Sequence, residues 1–271
     1  MHATFFPVWR VMPLLWLALG ICASYASGQA VMDIQQVTLM EPDQKTPEIS
    51  TEELRKILTE KSATVFDARP FKEYAVSHIP GAVNVAAKPG VSIALYVSDV
   101  VEIGRVVQDN KAAPMVLYCN GPFCGKSKRL AEELLAAGYT NVRRYQLGIP
   151  VWRALGGITE IEAEGVQYVR ENDQTAVWID ARDPEEFTAN PIPHARNLPR
   201  SGVKPGKDVG EVKKAKDDGR LPMDDHNTRI IVFGRDGAQA KAVAEALARE
   251  AFHNVSYFAG PLERLRTAAV R

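Results

Sequence analysis

The stretch VFDARPFKEYAVSHIPGAVNV, residues 65–85, returns further along the chain as VWIDARDPEEFTANPIPHARNL, residues 177–198. One constant offset carries Asp67, Ala68 and Arg69 onto Asp180, Ala181 and Arg182. It also carries Tyr74 onto Phe187, Ile79 and Pro80 onto Ile192 and Pro193, and Asn84 onto Asn197. A single register held across so many matches identifies a duplicated structural unit.

The same order of elements surrounds each copy. Ser50-Thr51-Glu52-Glu53 has the spacing of a capping box, and Leu54, Ile57 and Leu58 follow at helical intervals. Thr64 to Phe66 and Met115 to Tyr118 read as short apolar strands, and Lys126 to Ala137 as a helix with Leu130, Leu134 and Leu135 inward. In the second copy Ile230 to Phe233 is the matching strand and Gln239 to Arg249 the matching helix. Short apolar strands alternating with amphipathic helices predict an α/β fold, with a small, mainly parallel buried sheet in each copy.

The reading divides the chain into residues 1–30, a lead-in over 31–46, a first domain over 47–157 and a second over 158–271. The joint falls near Gly156-Gly157. Residues 31–46 are polar and read as a mobile segment; Lys204 to Arg220, rich in Gly, Lys and Asp, reads as a solvated excursion. Residues 1–30 read as a signal peptide, with Arg10 ahead of the apolar run Val11 to Ala23 and a small-residue zone beyond it. The run is short for a membrane-spanning helix, and bulky Ile21 before Cys22 fits a lipoprotein signal poorly. The expectation is an exported, periplasmic or secreted protein with no stable membrane insertion.

Lys plus Arg and Asp plus Glu each total 33, and Arg10 is the one charge among residues 1–30. A near-neutral chain has no global field to draw nucleic acid, so any anion selectivity is local. Beyond the signal only Cys119 and Cys124 remain of the 3 cysteines, both in one loop. Two cysteines in one loop point to chemistry rather than to stapling a two-domain chain.

That loop is VLYCNGPFCGKS, residues 116–127. A thiol at the C-terminal end of a buried strand, ahead of a Gly-containing loop and a helix start, occupies the usual ligand position of an open α/β sheet. Loop amides and the helix N-terminus favour thiolate over thiol, and thiolate is the nucleophile. Lys126, Lys128 and Arg129 crowd the first helical turn, where cations oppose the macrodipole. An anion held at the loop explains them; a solvated basic face is the alternative for Lys128 and Arg129. Cys119 with Cys124 and His78 gives at most three soft ligands at a spacing unlike a zinc knuckle, so no metal and no other cofactor is expected.

The residues Asp67, Arg69, Glu73, Tyr74, His78, Ile79, Pro80, Gly81, Ala82 and Asn84, then Cys119, then Leu147, Gly148 and Trp152, follow an order that resembles the rhodanese superfamily. The resemblance implies tandem rhodanese-like domains, each with about five parallel strands flanked by helices. It implies that Cys119 accepts sulfane sulfur from a thiosulfate-like anion and passes the persulfide to cyanide or a thiol, including a protein thiol. Asn120, Gly121, Phe123, Cys124, Gly125, Lys126 and Ser127 are then the persulfide loop, with Asp67 and Arg69 as a supporting ion pair beneath it. Family loops end in Arg or Lys after six residues; this one reaches Lys126 after eight.

Cys124 leaves alternatives open. It forms a reversible disulfide with Cys119, resolves a persulfide on Cys119, or is itself the carrier. A redox-sensing or partner-binding protein using the pair is the rival to an enzyme, and a phosphatase-like loop is disfavoured because Gly125 stands where its arginine belongs. In the second copy Gly234 stands in place of the cysteine and Gln239 in place of the basic residue, so that copy is expected to be silent. Tandem members of the family usually place the active copy last; here it comes first.

Overall fold

The computed structural model describes residues 1–2, 33–90, 92, 96–122 and 124–267; residues 33–271 form one compact unit. The signal peptide reading therefore lies outside the described residues, apart from Met1 and His2. Among the described residues no helix is long and apolar enough to cross a membrane.

The first sheet contains β1 (Thr64–Asp67), β2 (Val83–Asn84), β3 (Met115–Tyr118) and β4 (Val142–Tyr145), in the order β2-β1-β3-β4 and parallel throughout. A bridge from Glu48 to Arg144 adds a fifth position beyond β4. Helices α1 (Thr51–Glu60), α2 (Phe71–Val76), α3 (Asp99–Val106), α4 (Lys126–Ala136) and α5 (Gly148–Ala154) flank it. Ser50 caps α1 in a reciprocal box with Glu53, as its spacing requires. Side chains alternate through the sheet: Val65, Val116 and Tyr118 join one core layer, Phe66, Met115 and Leu117 the other. Both faces are covered, hence the uninterrupted apolar runs in the sequence.

The second sheet contains β5 (Thr159–Ile161), β6 (Val177–Asp180), β7 (Ala195–Asn197), β8 (Ile230–Phe233) and β9 (Val255–Phe258), again parallel, in the order β5-β9-β8-β6-β7. Its helices are α6 (Ala163–Asn172), α7 (Pro184–Ala189), α8 (Gly210–Asp217), α9 (Gly237–Arg249) and α10 (Leu262–Thr267). The two modules meet where His78 and Glu160 exchange main-chain hydrogen bonds at 2.9 and 2.8 Å. There α2 and α6 approach so closely that a Cβ on Gly165 would lie 2.0 Å from the Ala75 carbonyl oxygen.

Two segments differ from their sequence reading. The lead-in is tied down from residue 33 onward: Glu41 pairs with buried Arg144 at 3.0 Å, and its main-chain N–H donates to Glu48. The carboxylate that neutralises Arg144 thus comes from a stretch whose composition alone looks unstructured. The expected excursion over 204–220 contains α8, which buries Val212 and Ala215 against the second core. Two apolar residues three apart suffice to seat a short helix whose other face is Lys-rich.

Candidate active site

The loop after β3 is built from both ends. At its start the Cys119 carbonyl accepts from Ile149 N–H at 3.2 Å, and Asn120 donates to Glu73 at 2.6 Å. Gly121 (φ +95°) and Gly148 (φ +67°) then meet back to back. A Cβ on Gly148 would lie 2.3 Å from Gly121 N and 2.5 Å from the Cys119 oxygen, so only glycine fits there. A turn from Gly121 O to Cys124 N–H, 3.0 Å, folds the second half of the loop back.

That fold brings the two cysteines together. Cys119 and Cys124 form a disulfide with Cα atoms 6.2 Å apart, within the span such a bond bridges. Cys119 is 3% exposed and Cys124 half-buried, so in this oxidised form the second sulfur covers the first. The sequence left this pairing among several alternatives. Phe123 lies outside the described residues.

Gly125 begins α4 and gives no side-chain hydrogen bond to the first helical turn. Among the described residues the leading amides have no side-chain acceptor, and they face the loop with the positive end of the helix dipole. Ser127 is buried in the same turn. The cations read as anion ligands all have carboxylate neighbours: Lys126 with Asp99 at 3.6 Å, Lys128 with Glu41 at 4.0 Å, and Arg129 with Glu133 at 3.6 Å. Two of those partners lie far away in sequence, which is why the cations alone suggested a ligand. Lys126, partly exposed and nearest the loop, has its charge partly offset by Asp99.

Asp67 (0% exposed) and Arg69 (4%) form the expected ion pair. Asp67 Oδ1 accepts from Arg69 N and Nε, both at 2.9 Å, and Oδ2 from Arg69 Nη2 at 2.5 Å. Burial pulls the Arg69 guanidinium down, but its hydrogen bonds to Asp67 outweigh this and leave it raised. Oδ2 also accepts from the Tyr118 hydroxyl at 2.6 Å, and that hydroxyl accepts from Ile79 N–H at 3.1 Å. Burial first, then the Asp67 charge, holds the Tyr118 phenol well above its ordinary value, so it is a firm donor. The pair thus braces the end of β3 through Tyr118, one residue before Cys119, rather than the loop itself.

The repeat places the same device in the second module. Asp180 Oδ1 accepts from Arg182 N and Nε at 3.0 Å each, and Asn197 Nδ2 donates to both neighbouring carbonyls as Asn84 does. His78, a nominal third soft ligand, serves the module joint instead. It stacks on Tyr74 at 3.8 Å, its Nδ1 lies 3.0 Å from Tyr74 O, and its Nε2 lies 3.9 Å from Glu162.

Sequence reasoning placed Gly148 in a family pattern without a site role, and assigned none to Glu73 and Tyr118. Glu73 and Gly148 stand in that pattern and Tyr118 ends the expected strand, but the groups each one meets are set by how α2, β3 and α5 pack.

The family comparison agrees with this architecture. The family model described as Rhodanese-like domain matches residues 50–155 and again 166–267. Among solved structures, thiosulfate sulfurtransferase from Pseudomonas aeruginosa is 21% identical with a TM-score of 0.34, over 79% of this chain and 43% of that one. SseA from Escherichia coli, described as a 3-mercaptopyruvate sulfotransferase, is 18% identical with a TM-score of 0.35, over 79% of this chain and 97% of that one. Likeness at this level speaks to neither substrate nor mechanism. Comparison with curated protein sequences finds no match.

Proposed function

The chain belongs to the rhodanese-like domain family, and from that premise we propose that it is an exported sulfurtransferase working through a persulfide on Cys119. It takes sulfane sulfur from thiosulfate or a related anion and hands it to a thiophilic acceptor, either cyanide or a small or protein-borne thiol. The observation that carries this reading is the position of Cys119. It ends a buried parallel strand and lies in a glycine-shaped loop that leads into a helix whose first turn lacks a side-chain cap. Export rests on the apolar run after Arg10.

The disulfide must first be reduced. The Cys119 thiolate then attacks the outer sulfur of thiosulfate; the S–S bond breaks and sulfite leaves with its electron pair. Main-chain amides at the start of α4 favour the anionic donor and the persulfide. Lys126 adds positive charge at the loop's rim, tempered by Asp99. An acceptor nucleophile finally takes the outer sulfur and returns Cys119 as thiolate.

The test is sulfite released from reduced protein by thiosulfate, with thiocyanate formed when cyanide is added. The expected result is about one sulfite per chain without acceptor, and none from Cys119→Ser. Undiminished release from Cys119→Ser would remove the assignment.

A further inference from the structure

We propose that Cys124 is a second catalytic residue, which discharges the Cys119 persulfide inside the loop and makes sulfide the product. The inference rests on the persulfide reading above and names the acceptor.

The oxidised structure joins Cys124 Sγ directly to Cys119 Sγ, the sulfur that would be the inner atom of a persulfide. Attack on that inner atom by a Cys124 thiolate forms this same bond. The inner S–S bond of the persulfide breaks, and the outer sulfur leaves with the electron pair as hydrosulfide. The Cys124 proton passes to the departing sulfur, directly or through water, so the outer sulfur of the persulfide anion leaves as hydrosulfide. Thiosulfate and the reduced pair therefore give sulfite, sulfide and the disulfide. An external dithiol restores the reduced pair and is itself oxidised to its disulfide.

The geometry favours this internal route over an outside acceptor. In the oxidised form Cys119 is 3% exposed and bonded to Cys124, so the second thiol stands within bonding reach of the first with no outside acceptor needed. The loop's base is fixed by Ile149 and Glu73, and the Gly121–Cys124 turn holds the second sulfur in place. An intramolecular thiol so held acts at a high effective concentration. Cys124 is half-buried and its neighbour Gly125 is exposed, which leaves the disulfide open to a reductant from the loop's outer side.

The experiment is a single turnover under anaerobic conditions. Reduced protein, freed of added thiol, is mixed with thiosulfate; sulfite and sulfide are counted, and intact mass and peptide mapping follow the two cysteines. Wild type is expected to give about equal sulfite and sulfide, and to end as the disulfide without added sulfur. Cys124→Ser and Cys124→Ala should release at least about tenfold less sulfide per sulfite than wild type, keeping one extra sulfur on the residue 119 peptide. Wild type that keeps a stable persulfide on Cys119 and releases no sulfide overturns this inference while the sulfurtransferase reading stands. Extra sulfur found on the residue 124 peptide also overturns it, because Cys124 is then a relay. No sulfite and no adduct from wild type or either Cys124 variant overturns the underlying reading as well.

Discussion

After β3 the chain enters α4 through Gly125, which offers no side chain to the first helical amides. After β8 it enters α9 through Asp236, whose Oδ1 accepts from Gln239 N–H at 2.8 Å. Gln239 in turn takes Arg235 N–H on its Oε1, also at 2.8 Å, and Arg235 pairs with Glu186 at 2.6 Å. Beneath these loops the backbones match, down to the Asp–Arg pair and the asparagine clip. The second module therefore lacks more than a thiol. Its own carboxylate and amide occupy the positive helix end that no side-chain cap fills in the first module. Duplication kept the groups that hold the strands, while the loop diverged.

The largest effect should come from the nucleophile. Cys119→Ser lowers thiocyanate formation at least about 1,000-fold, and adding Gly234→Cys does not restore it. A Cβ at Gly234 would lie 2.7 Å from Gln239 Oε1, so a thiol there meets a filled loop. Rescue by Gly234→Cys in a steady-state assay would break the comparison.

Stability should treat the two modules alike. Asp67→Asn and Asp180→Asn each strip a buried arginine of its charge partner and should cost about 3–5 kcal/mol in denaturant unfolding. A loss confined to Asp67→Asn would mean that the second pair is not structural.

The module joint adds a pH term on one side only, because Pro191 occupies the repeat position of His78. Burial holds the His78 imidazole down at about 4, against the partly compensating Tyr74 carbonyl and Asp67 charge. The unfolded chain binds that proton first. The stabilisation is complete above the ordinary histidine value of about 6.5 and is lost as pH falls toward 4, amounting to about 3 kcal/mol. Thermal unfolding across that window should show the loss in wild type, and His78→Phe should flatten it.

The smallest effect sharpens the loop contrast most finely. Gly125 has φ −71° and open space around an added Cβ, so Gly125→Asp fits. It puts a carboxylate at the helix start, as in the second module. Sulfite release should slow by about two- to fivefold while stability holds or rises. Unchanged release would show that the helix end does not assist the anion.

These contrasts also separate what could be read in the sequence from what could not. The strand ends, the Ser50 capping box and the buried Asp67–Arg69 pair were legible because each depends on near neighbours, and the strand ends and the ion pair also recur in the repeat. The partners of Lys126 and Lys128 were not, because Asp99 and Glu41 reach them from α3 and from the lead-in. The cysteine pairing stayed open for a similar reason. A spacing of five residues permits a bond but does not impose the turn at Gly121 that closes it.

The central claim is that Cys119 is the sulfur-accepting atom. Cys124→Ser, reduced and mixed with thiosulfate, isolates that step from any internal discharge. Peptide mapping should find one additional sulfur on the fragment bearing residue 119 and none elsewhere. Sulfur on a different residue, or a fully reduced folded protein that takes up none, would contradict the account.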